Sequence, residues 1–339
     1  MTVRVGINGF GRIGRNYLRA VRRYGIDVEI VAVNDLLSKE TNAHLLRYDS
    51  THGRFEGLVE LTDDGFSVDG KNVVVFAERD PAALPWASVG VDVVIESTGR
   101  FTKRAAAAAH LEGGAKRVII SGPSADADAT FVVGVNDGDF DPASHVVISN
   151  ASCTTNCFVP MVKVLDDAFG VDKGLMTTIH AYTNDQEILD LGRDDLRRAR
   201  AAAVNIVPTT TGAARATALV LTAMRGRLDG HSMRVPVCDG SMTDFTAVVS
   251  KTVDATSVNA AFAEAASSGP LKDVLVYSEE PLVSSDILGS PASCTFDSLL
   301  TLAVPLGESS SLVKVFGWYD NEWGYSTRLA DLTTIVGNR

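Results

Sequence analysis

A cysteine lies in a run of small polar residues, 149–157, that follows a β-branched stretch and precedes an apolar one. This order predicts a strand, a sharp turn and a helix, with Cys153 at the helix N-terminus. Unpaired N–H groups and the helix dipole there favour a thiolate and suit an oxyanion forming on a substrate carbonyl. Pro160 falls inside the predicted helix and predicts a kink or a shorter first segment. The alternative for Cys153 is inert packing.

A histidine ends the next predicted strand, residues 175–180, and a polar loop follows it. Imidazole is the side chain that can accept a thiol proton near neutral pH. His180 is therefore the predicted base for Cys153. A hydrogen-bonded structural histidine is the alternative.

A glycine-rich turn near the N-terminus separates a buried strand, residues 3–8, from a helix that reaches residue 24. Gly9, Gly11 and Gly14 form the pattern G-x-G-x-x-G, in which the glycines make the turn, admit a pyrophosphate and let helix pack on strand. Asp35 ends the second strand, 21 residues after Gly14, where an acid accepts ribose hydroxyls. This combination predicts a Rossmann-type domain that binds NAD.

Apolar strands continue through the first half, and small polar residues follow their ends. Near-continuous apolar runs at 91–96 and 117–120 are typical of a parallel sheet covered on both faces. Ligands bind beyond the carboxyl ends of such strands, which makes Thr98 and Ser121 coenzyme candidates. Ordinary turn residues are the alternative for both.

The second half predicts a different architecture, with alternating strands between 227 and 253 and separate helices. Hydroxyl residues at 208–214 precede a helix and form a candidate phosphate cradle. Arg234, among apolar strand residues, needs an anionic partner, either a phosphate or a buried carboxylate. The charged run at 194–200 is a solvated face or a salt-bridged interface. The chain therefore predicts an α/β NAD-binding domain over 1–150, an α+β catalytic domain with a mostly antiparallel sheet over 151–317, and a C-terminal helix over 318–339.

Composition limits the class of protein. The chain has 339 residues, a formal net charge of −11 and four cysteines. An acidic chain argues against general nucleic-acid binding, so local arginines and N–H groups must hold any anionic ligand. The cysteines are too few for a disulfide scaffold and predict free thiols in a reducing cytoplasm. No secretory leader, membrane span or zinc-ligand spacing is visible, so we expect no membrane association and no metal.

Four motifs carry a family resemblance that covers essentially the whole chain: residues 7–15, 149–157, 196–200 and 318–325. Through them the sequence resembles phosphorylating glyceraldehyde-3-phosphate dehydrogenase. The resemblance implies that Cys153 attacks the aldehyde and that His180 activates the thiol and then assists hydride transfer to NAD. Inorganic phosphate then cleaves the thioester to give 1,3-bisphosphoglycerate.

The resemblance also assigns binding residues. It implies that the phosphate of glyceraldehyde 3-phosphate is bound by Thr183, Arg234 and Arg198. The attacking phosphate is expected to be bound by Ser152, Thr154, Thr211 and Gly212. The expected coenzyme contacts are Arg12, Ile13, Asp35, Arg79, Ser121 and Asn321. The family is homotetrameric, and in it the last helix returns to the coenzyme domain while the loop over 181–203 crosses a subunit interface.

Three other functions compete with this interpretation. A related enzyme oxidises erythrose 4-phosphate and releases the acid by hydrolysis, but its coenzyme acid is a glutamate and its loop after the histidine differs. A non-catalytic NAD-binding redox sensor would not need the set Cys153, His180, Thr183 and Arg234. A cysteine hydrolase would not need the dinucleotide motif.

The coenzyme prediction depends on two places in the chain. Asp35, followed by Leu36, favours NAD because a carboxylate accepts ribose hydroxyls and repels a 2′-phosphate. Gly192 and Arg193 stand where family members strict for NAD commonly have Pro and His, and they leave room for NADP. Arg193 either pairs with a 2′-phosphate or with Asp194, Asp195 or solvent. We therefore expect NAD as the main coenzyme, with weaker use of NADP possible in principle.

Overall fold

The computed structural model describes residues 2–339 of the chain. These residues form two compact units: the first comprises 2–131, 136–151 and 326–339, and the second comprises 132–135 and 152–325. The domain boundaries predicted from the sequence, after residue 150 and at residue 318, remain a prediction. No helix in the described part of the chain is both long enough and apolar enough to span a membrane.

Seven α-helices occur in the described residues. They are α1 Arg12–Tyr24, α2 Lys39–Arg47, α3 Arg104–Glu112, α4 Cys153–Phe169, α5 Ala213–Val220, α6 Ala255–Ser267 and α7 Trp323–Gly337. The part of α7 from Ser326 onward belongs to the first unit.

The strands fall into two large sheets, one in each unit, and a small ribbon. Those of the first unit are β1 Val3–Asn8, β2 Val28–Asn34, β3 Tyr48–Asp49, β4 Gly53–Arg54, β5 Val59–Leu61, β6 Gly65–Val68, β7 Lys71–Phe76, β8 Val93–Glu96, β9 Arg117–Ile120, β10 Ala129–Thr130 and β11 Val147–Ser149. Those of the second unit are β12 Val171–Ala181, β13 Val207–Thr210, β14 Leu228–Val235, β15 Ser241–Val249, β16 Leu275–Ser278, β17 Cys294–Asp297, β18 Leu302–Pro305 and β19 Ser311–Tyr319.

The first sheet has the strand order β10-β11-β9-β8-β1-β2-β7-β6-β5. The strands from β10 to β7 are parallel, and the last two strands of the order, β6 and β5, are added in antiparallel pairings. The central strands are buried along nearly their whole length, as an open parallel sheet covered on both faces requires. Trp86, fully buried, anchors an apolar cluster beside β8 and β9. The predicted α/β architecture of this half is confirmed.

The second sheet has the order β13-β14-β12-β15-β19-β17-β16, with β18 added to β19. Only the pairs β12–β14 and β16–β17 are parallel in it, so the predicted mostly antiparallel sheet is confirmed. β15 and β19 alternate buried and half-buried residues, which is typical of a sheet with one covered face.

Two local expectations need comment. Helix α4 continues through Pro160 to Phe169, so it has no shorter first segment, and the kink at Pro160 remains a prediction. The strand expected from residue 299 begins only at Leu302, because the Asp297 carboxylate accepts the Leu299 N–H at 3.1 Å and closes a 3₁₀ turn first.

Candidate active site

The turn into α4 places Cys153 as the first helical residue. Ser152 is the N-cap, and its Oγ atom accepts the N–H of Thr155 at 3.0 Å. The cap satisfies one of the first N–H groups of the helix and fixes where the helix begins. Ala151, immediately before it, has a φ of 56°, a left-handed conformation uncommon for a residue with a Cβ atom. A strained backbone conformation therefore lies in the turn that presents the thiol.

Cys153 and His180 contact each other in the second unit. The Sγ atom of Cys153 lies 3.4 Å from Nε2 of His180, at the end of β12. Nδ1 of the same ring lies 2.7 Å from the carbonyl oxygen of Ala181, which can only accept, so Nδ1 carries the proton. Nε2 is therefore the acceptor that faces the thiol. The geometry predicted for a thiol and its base is present.

The protonation of this pair follows from its burial. Burial raises the pKa of the Cys153 thiol to about 11, although the Arg234 charge and the N–H of Thr154 act in the opposite direction. Burial and the Arg234 charge together lower the pKa of His180 to about 3. The Thr154 N–H at the helix start acts toward a thiolate, as expected, but desolvation outweighs it. The resting pair is a neutral thiol and a neutral imidazole, ready for transfer of one proton from Sγ to Nε2.

A cluster of two arginines, a threonine and a carboxylate lies beside His180. Arg234 donates from Nη1 to Oγ1 of Thr183 at 2.9 Å. Asp185 pairs with Nη1 of Arg198, accepts the hydroxyl of Thr183 and lies 3.7 Å from Nη2 of Arg234. Nη2 of Arg198 donates a hydrogen bond to Oγ1 of Thr209 at 2.6 Å. We call Thr183, Asp185, Arg198 and Arg234 the arginine cluster.

Asp185 is the part of the arginine cluster that sequence reasoning missed. Its pKa is lowered: burial acts to raise it, but the charge of Arg234, the Thr183 hydroxyl and the charge of Arg198 prevail. The carboxylate alternative for Arg234 is therefore present, since Asp185 is its neighbour, and the phosphate contact remains a prediction. The only sequence signal for Asp185 was its place two residues after Thr183 in a polar loop.

Three hydroxyl-bearing residues form a second group, which lies next to His180. The phenol of Tyr319 bridges Oγ1 of Thr154 at 2.8 Å and Oγ1 of Thr178 at 2.7 Å. Its ring packs edge-on against the imidazole of His180, with centroids 5.9 Å apart. Burial raises the pKa of Tyr319 well above its usual range, so the phenol stays neutral. Tyr319 lies in the motif over residues 318–325, but the sequence alone indicated no role for it.

The remaining predicted residues of the second unit lie at turns. Gly212 is the N-cap of α5, and Oγ1 of Thr211 accepts the N–H of Ala213 at 3.2 Å. Asn321 follows β19 and is buried, and its Oδ1 accepts the hydroxyl of Ser241 at 2.6 Å.

The dinucleotide turn of the first unit has the geometry its glycines predict. Gly9 has a φ of 91°, and a Cβ atom there would lie 2.7 Å from the N atom of Thr98. A Cβ atom on Gly14 would lie 2.4 Å from the carbonyl oxygen of Gly9, while no described atom lies within 4 Å of one on Gly11. The first and third glycines thus serve turn and packing, and the second leaves an open approach to the backbone.

Asp35 is fixed against this turn before any ligand arrives. Its Oδ2 accepts the N–H of Phe10 at 2.9 Å, and its Oδ1 accepts the N–H of Leu37 at 3.0 Å. Arg12, in the first turn of α1, pairs with Asp49, whose pKa falls to about 2 because hydrogen bonds and the arginine outweigh burial. Ile13, the second residue of α1, is half-buried, and Arg79 is exposed.

A buried carboxylate supports the strand ends next to it. Glu96 accepts the N–H and the hydroxyl of Thr98 at 2.8 and 2.5 Å through Oε1. Its Oε2 accepts Nδ2 of Asn8 at 2.6 Å and Nε2 of His110 at 3.0 Å. Ser121, after β9, donates its N–H to the Glu96 carbonyl at 2.9 Å. Asp35, Thr98 and Ser121 therefore all follow carboxyl ends of one parallel sheet, where such sheets bind ligands.

Each of the two units contains a region that matches a known protein family. Residues 3–104 match the family described as glyceraldehyde 3-phosphate dehydrogenase, NAD binding domain. Residues 152–321 match the family described as glyceraldehyde 3-phosphate dehydrogenase, C-terminal domain. The chain belongs to the glyceraldehyde-3-phosphate dehydrogenase family.

The chain is also similar along its whole length to proteins named glyceraldehyde-3-phosphate dehydrogenase. A glyceraldehyde-3-phosphate dehydrogenase of Streptomyces coelicolor is 62% identical over 339 residues, with both chains covered completely. That of Geobacillus stearothermophilus is 55% identical over 339 residues, covering 100% of this chain and 99% of the relative. Glyceraldehyde-3-phosphate dehydrogenase 1 of Bacillus subtilis is likewise 55% identical with the same coverage. The chain is thus a dehydrogenase-family oxidoreductase with a domain of the NAD-binding type, and the resemblance seen in its motifs is confirmed.

Proposed function

We propose that the protein oxidises D-glyceraldehyde 3-phosphate with NAD and inorganic phosphate and forms 1,3-bisphosphoglycerate. The observation that carries the proposal is the placement of the arginine cluster next to the Cys153–His180 pair. A thiol with its base performs carbonyl chemistry, and two arginines beside it select an aldehyde that bears an anionic group.

The reaction follows from the resting protonation of the pair. Sγ of Cys153 attacks the aldehyde carbon while Nε2 of His180 takes the thiol proton, and His180 then gives that proton to the carbonyl oxygen to form a thiohemiacetal. His180 then accepts the proton of the thiohemiacetal hydroxyl as its carbon gives a hydride to NAD, leaving a thioester. Phosphate attacks the thioester carbon, the C–S bond breaks and the acyl phosphate leaves. The sulfur then takes back the proton held by His180, which restores the thiol of Cys153.

Two phosphates must be held at once, and two sets of residues support this. We assign the substrate phosphate to Thr183, Arg198 and Arg234, which the structure joins through Asp185. We assign the attacking phosphate to Ser152, Thr154, Thr211 and Gly212, which offer hydroxyls and N–H groups at the starts of α4 and α5.

The coenzyme is assigned as NAD, held by the glycine turn and by Asp35, with Arg12, Ile13, Arg79, Thr98, Ser121 and Asn321 as further contacts. The fixed carboxylate of Asp35 accepts the hydroxyls of an adenosine ribose and opposes a 2′-phosphate. Arg193 pairs with Glu187 and with neither aspartate that follows it. Its charge is therefore already balanced within the loop, which weakens the case for strong NADP binding.

We further propose a homotetramer in the cytoplasm. The loop between β12 and β13 exposes Ile188, Leu189, Leu191, Leu196, Val204 and Ile206, with Ile188 85% exposed. An apolar surface of this size is unusual on a monomer and fits contact with further copies of the chain.

An assay of phosphate dependence tests the proposed reaction. NADH formation from glyceraldehyde 3-phosphate and NAD should require phosphate or arsenate and should fall to background without either. Turnover of erythrose 4-phosphate without phosphate would identify the hydrolysing relative instead. NAD binding without turnover of either aldehyde would identify a redox sensor.

A further inference from the structure

Ser241 has no part in the reaction as proposed, yet its hydroxyl joins two chain segments that do. It is the first residue of β15, is only 1% exposed, and pairs across the sheet with Tyr319. Its Oγ atom accepts the N–H of Ala181 at 3.0 Å and donates to Oδ1 of Asn321 at 2.6 Å. One side chain thus links the peptide that follows the base to a proposed coenzyme contact.

The direction of these two hydrogen bonds is fixed. A serine hydroxyl has one proton, and the N–H of Ala181 can only donate to it. The proton of Ser241 therefore goes to Asn321, whose accepting atom must be the carbonyl oxygen Oδ1 and not the amide nitrogen. With Oδ1 occupied, Asn321 presents its NH₂ group as the part of the amide that is left for a ligand.

The hydrogen bonds of Ser241 also indicate which end of the coenzyme lies next to Asn321. Ser241 ties Asn321 to Ala181, and the carbonyl of Ala181 accepts Nδ1 of His180 at 2.7 Å. The nicotinamide ring has to reach the carbon bound to Cys153, which this histidine serves. The nicotinamide end carries a carboxamide, whose oxygen is an acceptor for an NH₂ donor.

We infer that Ser241 is a positioning residue that holds the Asn321 amide with its NH₂ group toward the nicotinamide carboxamide. The inference rests on the proposed function and extends it by one residue. Without the hydroxyl, the amide of Asn321 turns more freely, and either of its two ends faces the carboxamide. The nicotinamide then loses its fixed orientation, and hydride transfer slows with it.

Four variants test the inference with a matched control. Ser241→Ala removes the hydroxyl and Ser241→Thr retains it. Ser232→Ala is the control, since Ser232 is equally buried, lies on β14 in the same sheet, and its hydroxyl has no hydrogen-bond partner among the described residues. Asn321→Ala, alone and combined with Ser241→Ala, completes a double-mutant cycle.

Ser241→Ala should lower kcat/KM for NAD by roughly 5- to 150-fold, the range for one lost buried hydrogen bond that leaves its partner unpaired. A deuterium isotope effect from the C1-deuterated aldehyde should increase, because hydride transfer becomes the slow step. Ser241→Thr should recover most of the activity, and Ser232→Ala should match the wild type. In the Asn321→Ala background, Ser241→Ala should have little further effect.

Two results would overturn the inference. Activity of Ser241→Ala at the level of Ser232→Ala shows that the hydroxyl is not needed. Losses that multiply in the double variant show that Ser241 acts through Ala181 and not through Asn321. If the wild type does not oxidise the aldehyde at all, the proposed function fails, and the dissociation constant for NAD in the same variants then decides the role of Ser241 alone.

Discussion

Nη1 of Arg234 lies 3.3 Å from Nδ1 of His180, yet the two nitrogen atoms share no hydrogen bond. Nδ1 gives its proton to the Ala181 carbonyl, and a guanidinium cannot accept one. The contact is purely electrostatic: the arginine charge lowers the pKa of His180 and acts to lower that of Cys153 as well. One side chain thereby keeps the base neutral, opposes the effect of burial on the thiol, and belongs to the proposed phosphate site.

Replacing Arg234 should therefore change thiol chemistry even without substrate. In Arg234→Gln the pKa of Cys153 rises, because a nearby positive charge is lost, and alkylation by neutral iodoacetamide at pH 8 should slow roughly 3- to 30-fold. Alkylation by the anion iodoacetate should slow further, because the local attraction for anions is lost as well. Arg225→Gln, at an exposed arginine of the same unit, is the control and should match the wild type. Equal slowing by both reagents would contradict the anion site.

Replacing His180 should slow the reaction most near neutral pH. The neutral imidazole accepts the thiol proton through Nε2, so His180→Asn should lower turnover by roughly 10²- to 10⁴-fold. It should also slow iodoacetamide alkylation at pH 7. Thiolate forms without a base as the pH approaches the thiol pKa of about 11, so the alkylation deficit should shrink toward pH 10. A deficit that is constant from pH 7 to 10 would remove His180 from activation of the thiol.

The two cysteines of α4 should respond very differently to the same substitution. Cys153→Ser removes the nucleophile and should abolish aldehyde oxidation while NAD binding remains. Cys157 lies one helical turn further along, is fully buried, and has its Sγ atom 3.5 Å from the Gly317 carbonyl. Cys157→Ser should keep most of the turnover. Steady-state rates and NAD titrations of both variants decide the assignment, and near-normal turnover by Cys153→Ser would contradict it.

Local patterns predicted much of the fold, because buried strands and glycine turns are specified by neighbouring residues. The strand over 71–76 and the helix start at Cys153 were predicted from runs of a few residues. The hairpin of β5 and β6 was missed, since Gly65 and the exposed residues of β5 break the apolar pattern. The contacts of Asp185 and Ser241 could not be predicted, because their partners lie up to 80 residues away along the chain. Tertiary contacts alone reveal which polar residues complete the site.

Close packing around Gly317 predicts a strong effect on stability. A Cβ atom there would lie 2.5 Å from Sγ of Cys294 and 2.6 Å from Sδ of Met161. Gly317→Ala should lower the free energy of unfolding by about 1–3 kcal/mol through overpacking. Thermal melting should show the loss, and adding Cys294→Ala should recover part of it. Gly138→Ala, where no described atom lies within 4 Å of the new methyl group, is the control; equal melting of both single variants would contradict the packing argument.

Coenzyme preference should depend on Asp35 first and on the loop around Gly192 second. Both carboxylate oxygens of Asp35 already accept N–H groups, so the side chain cannot easily turn away from a 2′-phosphate. The wild type should therefore prefer NAD, and Asp35→Asn should raise the ratio of kcat/KM for NADP to that for NAD by about tenfold or more. The ratio is to be measured for both coenzymes at one ionic strength. A wild-type preference for NADP would contradict the role of Asp35.

The loop gives a separate test of the weaker NADP activity. A Cβ atom placed on Gly192 meets no described atom within 4 Å apart from its chain neighbours, so Gly192→Pro adds its bulk at an open position of the subunit. In the proposed tetramer that bulk crowds a 2′-phosphate bound by the neighbouring copy, and NADP activity should fall while NAD activity is kept. Arg193→Ala is the matched control: Glu187 already pairs with this arginine, so the coenzyme ratio should change less than about twofold. A larger loss of NADP activity in Arg193→Ala than in Gly192→Pro would show that the arginine, and not the open space, admits the 2′-phosphate.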